Sequence, residues 1–247
     1  MLHRDVADGI HRVEEAYTNW YLVEDGGRVT IVDAGFPRSW STLDESLRAI
    51  GRGPGDVDSV VLTHAHFDHM GFAARAREEL GVPIHAHERE IELLGNPRDY
   101  KHERPVLPYV VRSGHLRRVL AAMTAKGALF VRGISGAETY ADGAELDVPG
   151  RPRAVFTPGH TFGHASIHFP DRGALIAGDA IVTCDPYTGR TGPRLVARAA
   201  TADSAQALAS LDAIAATGAQ TVLGGHGEPW TGGAAEACAL ARDAGQA

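Results

Sequence analysis

Within Thr63-His64-Ala65-His66-Phe67-Asp68-His69, three histidines and an aspartate fall inside six residues. Imidazole nitrogen and carboxylate oxygen are the donors zinc takes when no thiolate is offered. The alternating His64-x-His66 pair can point one way from an extended loop, while Asp68 and His69 turn toward a second point. The stretch therefore offers ligands to two neighbouring ions. The preceding run Val60-Val61-Leu62 is short and β-branched, which predicts a buried strand. The cluster would then lie at a strand's C-terminal end, where α/β sheets place ligand chemistry.

Three more apolar segments end the same way. Ala154 to Thr157 runs into Pro158-Gly159-His160, Ala174 to Ala177 into Gly178-Asp179, and Thr221 to Leu223 into Gly224-Gly225-His226-Gly227. Glycine lets the backbone turn sharply and crowd a site. Four strand ends carrying His or Asp in one chain point to a shared metal centre. Asp33 closes the segment Val29 to Val32 and is either a turn residue or a support behind the ligands. His85 and His87 also lie at a strand end, but the residues above already complete two sites without them. Cys184 and Cys238 are too few for a disulfide framework and are read as idle thiols, with a reducing cytoplasm as the expected location.

The 247 residues are enough for one large core, and 44% hydrophobic with 22% charged residues is ordinary for a folded protein. The formal charge of −7 and the lack of a Lys/Arg run in the sequence argue against a nucleic-acid backbone as partner. A small phosphate ester is not excluded by the same argument. No apolar run approaches membrane-spanning length, and the chain opens on polar residues without an apolar signal core. A small-molecule substrate is the expected partner.

The elements that must position these residues can be read in order. Ile10 to Val13, Trp20 to Val23 and Val29 to Val32 predict a β-meander with turns such as Asp25-Gly26-Gly27. Ser39 to Ile50 predicts a helix with Ser39 or Ser41 as cap, and Phe72 to Leu80 a second one ending at Gly81. Val82 to Ala86 is expected as a strand and Glu88 to Leu94 as a short helix. From 96 to 131 prolines at 97, 105 and 108 break the pattern around one amphipathic helix, Tyr109 to Met123. An insertion of this length is either a lid or substrate wall, or a packing segment. Strands are then expected at 138–140, 146–148 and 154–157, a hairpin over 164–177, a helix over Thr201 to Ala216, and a terminal helix over Thr231 to Ala244.

In the loop at 64–69, Pro158-Gly159-His160, Gly178-Asp179 and Gly224-Gly225-His226-Gly227, the chain resembles the metallo-β-lactamase-fold hydrolases, in particular their lactonase and glyoxalase II branch. The resemblance spans most of the chain. It implies a single α/β domain over 1–247: a four-layer αβ/βα sandwich of two mixed β-sheets flanked by helices. It also implies that His64, His66 and His160 bind a first zinc, that Asp68, His69 and His226 bind a second, and that Asp179 bridges the two. A hydroxide between the metals would be the nucleophile, Asp68 the proton shuttle, and His164 a residue supporting the ligands from behind. Iron or manganese can replace zinc in such N/O sites.

Departures from the family's patterns narrow the substrate. Asp179 stands where the commonest β-lactamases have Cys. Val182 stands where acyl-homoserine lactonases have Tyr, the next tyrosine being Tyr187, and Phe162 stands where Pro is common. His66 is intact where the oxidoreductase branch has Glu. Neither glutathione-binding basic residues near the C-terminus nor the basic exosites of phosphodiesterases are evident. The expected activity is therefore hydrolysis of a small ester, lactone or thioester. The alternatives are a phosphodiesterase of the same fold and a metal-binding member without turnover.

Overall fold

Along Trp20-Tyr21-Leu22-Val23 every side chain is buried, yet successive ones enter different cores. Trp20 and Leu22 join one cluster with Leu43, Leu47, Ala73 and Ala76, while Tyr21 and Val23 join another with Ile167, Phe169 and Ile176. A strand turns successive side chains to opposite faces, so a continuous apolar run is the signature of a sheet covered on both sides. The same split recurs at Ile31 and Val32, and at Val60 and Val61.

The computed structural model describes residues 1–245. Strands β1 (Leu2–Ala7), β2 (Ile10–Glu15), β3 (Thr18–Asp25) and β4 (Arg28–Val32) form the antiparallel half of the first sheet. Helix α1 (Trp40–Ala49) leads to β5 (Val57–Val61), α2 (Ala73–Leu80) to β6 (Ile84–His87), and α3 (Ile91–Gly95), α4 (Leu107–Arg112) and α5 (Gly114–Ala125) to β7 (Glu138–Tyr140). The pairings β4·β5, β5·β6 and β6·β7 are parallel, giving a seven-stranded mixed sheet in sequence order.

The second sheet is built from β8 (Arg153–Phe156), β9 (Ala165–Phe169) and β10 (Ala174–Gly178). After a two-stranded ribbon, β11 (Val182–Cys184) with β12 (Thr191–Arg194), come α6 (Ser204–Ala216), β13 (Thr221–Gly224) and α7 (Ala234–Ala244). The order is β13-β10-β9-β8, with β10 and β13 parallel and the other pairs antiparallel. Along β10, Ala174 and Ile176 face the first sheet, while Leu175 and Ala177 face Leu211 and Ile214 of α6 and Ala237 of α7. The layers are thus helix, sheet, sheet, helix, the sandwich expected from the sequence.

Four expectations change. Leu146 to Val148 is not a strand: Glu145 makes a single bridge to Arg153, and Pro149-Gly150, with Gly150 at φ +89°, turns the chain away. Leu146 and Val148 are apolar because they plug the inter-sheet core from a loop. The helix expected over Tyr109 to Met123 is two helices, broken at Ser113, whose Oγ accepts the Leu116 N–H at 3.1 Å and so caps α5. Ser39 does not cap α1 with its side chain; its Oγ accepts from the Phe36 amide instead. The polar N-terminal residues form β1, an edge strand registered on β2, where polar side chains face solvent. No helix among the described residues is long and apolar enough to cross a membrane.

Leu211 is fully buried where α6 meets α7 and the outer face of β10. Leu211→Ala is expected to lower unfolding stability by about 2–5 kcal/mol. Urea titration at fixed metal concentration measures it, and metal content should be unchanged because this core lies outside the His/Asp cluster.

Candidate metal centre

The loop after β5 presents His64, His66, Asp68 and His69, the β8–β9 loop His160, the end of β10 Asp179, and the end of β13 His226. All seven side chains are buried, none more than 6% exposed. The structure brings them together. His64, His66 and His160 each offer one donor atom within 4.8 Å of the others, and so do Asp68, His69 and His226. Asp179 lies between the groups: Oδ2 is 3.3 Å from both His160 Nε2 and His226 Nε2, and Oδ1 is 3.6 Å from His69 Nε2.

Hydrogen bonds behind the cluster decide which nitrogens face it. Asp33 is fully buried, and its carboxylate accepts from Thr63 N (2.8 Å), Thr63 Oγ1 (2.9 Å) and His69 Nδ1 (2.9 Å). With its one proton given to Asp33, Thr63 Oγ1 can only accept from His64 Nδ1 at 3.0 Å, which leaves His64 Nε2 a bare lone pair. Likewise His226 Nδ1 donates to Tyr17 O at 2.6 Å, turning Nε2 inward. His164 is not a ligand in this geometry. Its Nε2 accepts the Asp179 N–H at 3.0 Å, and its Nδ1 bonds Thr157 Oγ1 at 2.9 Å, so it holds the Asp179 backbone. Asp33 adopts φ +60°, a left-handed conformation that Asp tolerates and that aims its carboxylate back at the loop.

Buried polar atoms are normally satisfied, yet His64 Nε2, His69 Nε2 and Asp179 Oδ1 have no hydrogen-bond partner. His66 Nδ1 and His160 Nε2 face each other at 2.9 Å. Burial pushes His64 and His160 well below the ordinary histidine range and His66 down to about 4, so these rings are neutral and offer lone pairs. At the other group burial is outweighed. It would lower His69, but Asp68, Asp179 and Asp33 raise it to about 10. Burial likewise opposes ionisation of Asp179, yet the charges of His226 and His69 hold it well below the carboxylate range. Protons on these imidazoles stand where a cation would neutralise the carboxylates. N/O donors, orphaned atoms and a demand for positive charge all fit divalent metal.

Among the glycines beside the cluster, Gly178 and Gly225 face the site residues themselves. A Cβ on Gly225 would come within 2.1 Å of Asp179 Oδ1, and one on Gly178 within 2.7 Å of His164 Nε2. Sequence reasoning anticipated glycine crowding at these strand ends but missed Glu90. This buried carboxylate accepts from Ala65 N at 2.8 Å and Thr161 Oγ1 at 3.0 Å, tying the loop of His64 and His66 to the loop of His160. Glu90 lies far from both in sequence, and its helical, charged neighbours Glu88 and Arg89 give it the look of a surface residue. His85 and His87 lie on β6 outside both groups, His87 stacking on Phe156. The thiols of Cys184 and Cys238 are free.

Beside the cluster is a cavity of about 40 Å³. Its floor includes His66, Asp68, His160, Asp179 and His226, and its walls include Phe67, Leu116, Val119, Met123, Tyr100 and Tyr187. Tyr100 lies against His66 at 4.6 Å between ring centroids, and its hydroxyl bonds to that of Tyr187. Tyr187, five residues past Val182, thus lands in the cavity, whereas Val182 does not line it and packs behind the wall residues Val196 and Ala200.

The family model for the metallo-beta-lactamase superfamily matches residues 13–226. The chain belongs to that superfamily of metal-dependent hydrolases. It is 26% identical over 240 residues to the probable metallo-hydrolase YflN of Bacillus subtilis (strain 168), covering 92% of this chain and 87% of that one. It is also 26% identical over 189 residues to the N-acyl homoserine lactonase AttM of Azorhizobium caulinodans, covering 74% of this chain and 64% of the relative. A crystal structure of a metallo-beta-lactamase family protein from Thermus thermophilus superposes with TM-score 0.68 at 27% identity, over 96% of this chain and 79% of that one.

Two predictions come from this geometry. Metal binding should release protons, because His69 carries a proton below about pH 10 that a metal must displace. Calorimetry in buffers of different ionisation enthalpy should show about one proton or more released per chain at pH 8, with apparent affinity rising as pH rises. Glu90 is raised to about 7, by burial, so in metal-free protein its contribution to stability is full below about pH 4.5 and is lost as pH climbs through 7. Glu90→Gln should flatten that decline while keeping the Ala65 contact. Glu90→Ala should weaken metal binding about 10- to 100-fold, read by chelator competition.

Proposed function

We propose that the protein is a dinuclear zinc hydrolase of a small ester, lactone or thioester. The observation carrying this is the convergence of seven buried ligand-type side chains, several with donor atoms that no protein group satisfies, on the floor of an apolar cavity. Kinship with an N-acyl homoserine lactonase supports a cyclic or linear ester. His64, His66 and His160 would hold one ion and Asp68, His69 and His226 the other, with Asp179 lying between the two groups and available to either. Bound there, the two ions supply an activated water and a Lewis acid for the scissile carbonyl.

The chain's own residues do the rest. Asp68 lines the cavity while its Oδ2 stays 3.6 Å from His226 Nε2 and 3.7 Å from His69 Nε2, so it is placed to take the proton of the attacking water and pass it to the leaving oxygen or sulfur. Asp33 and His164 keep His69 and Asp179 in orientation. Phe67, Leu116, Val119 and Met123 exclude bulk water and favour an apolar acyl group or ring. Tyr100 and α5, both within the segment 96–131, line the pocket, which supports reading that segment as a lid or substrate wall.

Metal analysis beside a screen of lactones, thioesters, aryl esters and phosphodiesters tests this reading. About two zinc equivalents per chain and chelator-sensitive ester or lactone turnover are expected, and full activity in metal-free protein would refute it. Asp179→Asn keeps the shape but removes the anion between two dications. It should weaken one metal and cut kcat by about a thousandfold, roughly 4 kcal/mol of transition-state stabilisation. His164→Ala should cost only about 10- to 100-fold. Two tight metals and near-normal turnover in Asp179→Asn would remove the bridging role.

A further inference from the structure

Tyr187 has a second face. Beyond the metal cavity it borders a cleft of about 900 Å³ lined by Arg104, Arg112, Arg190 and Arg198, with His115 on α5 beside them. No carboxylate lines this cleft, although the chain as a whole holds 31 Asp and Glu against 24 Lys and Arg. The concentration of positive charge therefore runs against the protein's overall balance. The arginines come from two distant segments, one in the 96–131 insertion and one following β11, which is why no basic run is visible in the sequence.

Several arginines elsewhere on the surface are paired, as Arg28 is with Asp58, Arg48 with Asp44, Arg132 with Glu78 and Arg242 with Asp212, while among the described residues Arg4, Arg118 and Arg153 stand singly; what sets the cleft apart is that its arginines share one concavity. The exposed side chains of Arg104, Arg112 and Arg190 make no ion pair or hydrogen bond among the described residues. The nearby Glu103 is already engaged by Ser204 N at 2.7 Å, Ser204 Oγ at 2.8 Å and Arg198 Nε at 3.6 Å. The loop bearing Arg190 is fixed by buried Asp185, which accepts from Tyr187 N at 3.2 Å and Thr188 Oγ1 at 2.5 Å, while its amide donates to Arg190 O at 2.9 Å. The cleft and the metal cavity adjoin at Tyr187, which lines both, and on α5 His115 lines the one while Leu116 lines the other.

Three guanidinium groups without carboxylate partners, those of Arg104, Arg112 and Arg190, gathered around one concavity, suit phosphate or carboxylate oxygens, which they bind in a planar, bidentate way. We infer that this cleft receives an oxyanionic group on the part of the substrate that stays outside the metal cavity. The hydrolysed ester or thioester is then an anionic one. This rests on the hydrolase reading above and adds to it the charge of the substrate. The cavity over the cluster is small and takes the reacting end, and Tyr187, which lines both, sets the arginine cleft directly beside it for the remainder of the substrate.

Three thioesters of the same acyl group make the test: one of N-acetylcysteamine, which is neutral, one of glutathione, which carries carboxylates, and one of coenzyme A, which carries phosphates. An anionic thioester is expected to exceed the neutral one in kcat/KM by about tenfold or more, with the advantage shrinking as salt rises. The Arg112→Ala/Arg190→Ala double variant should reduce that ratio by about tenfold, through KM rather than kcat. Whichever anion leads identifies the group recognised. Calorimetric titration of the metal-loaded protein with inorganic phosphate gives a reading independent of turnover, and binding should be weaker in the double variant. If no thioester or ester is hydrolysed but phosphate still distinguishes the two proteins, the hydrolase reading fails and the cleft assignment stands. Equal kcat/KM for neutral and anionic thioesters, or a ratio and a phosphate affinity that the double variant leaves unchanged, overturns it.

Discussion

Three carboxylates and a group of imidazoles have been taken out of water at one point, and the rest of the structure answers that constraint. Asp33, Asp68 and Asp179 lie with His64, His69, His160 and His226 at or near zero exposure, where an uncompensated charge is expensive. Protons on His69 and His226 offset part of this cost, since burial alone would lower both, yet the aspartates raise them. Divalent cations compensate more completely, because they also satisfy atoms such as His64 Nε2 and Asp179 Oδ1 that find no partner within the protein. The centre is thus a place where the fold accepts a penalty that a metal removes.

Only a rigid frame can hold so many like groups at such distances, and the two sheets supply it by packing face to face and cross-bonding at the strand ends. Asn19 on β3 donates through Nδ2 to Gly224 O at 2.9 Å and Gly227 O at 2.8 Å, and Tyr21 OH donates to Gly224 O at 2.6 Å. Arg12 on β2 reaches Gly227 O and Glu228. The first sheet therefore clamps the turn that carries His226 in the second. In the other direction, Ala165 N donates to Thr63 O, so the loop of His64 is stitched to β9. Each half of the chain positions ligands for the other. This explains why small residues are obligatory at Gly178 and Gly225, where the two halves touch through the site itself.

Most of this was legible in the sequence because it rests on short-range signals. Buried strands read as continuous apolar runs, and each ligand follows such a run beside glycine or proline. What was not legible depends on contacts between distant residues. Leu146 and Val148 alternate like a strand but fill a core from a loop. Ser113 divides a helix by capping the second part, a choice that Gly114 and the packing of Leu116 settle together. Glu90 looks like a helical surface carboxylate and becomes a buried clamp only when Ala65 and Thr161 arrive from two other loops. The arginine cleft is invisible for the same reason, its members lying up to ninety-four positions apart, from 104 to 198.

The division of labour between segments follows from these energetics. Several residues at the strand ends are over-determined: His64, His69, Asp179 and His226 have hydrogen-bond partners behind them and a sheet beneath them, so change there disturbs the cluster and the fold together. The walls of the cavity come instead from α5, Tyr100 and the loop after β11, and the inner face of α5 meets the sandwich through apolar contacts such as Phe36 with Val119 and Met123. Apolar contacts are non-directional and tolerate replacement at constant volume. Substrate choice can therefore drift in these segments while the chemistry stays fixed. The placement of Tyr187 fits this argument. A phenol reaches both the cavity and the cleft from the loop at 185–190, which Asp185 holds in place, while Val182 stays committed to packing in β11.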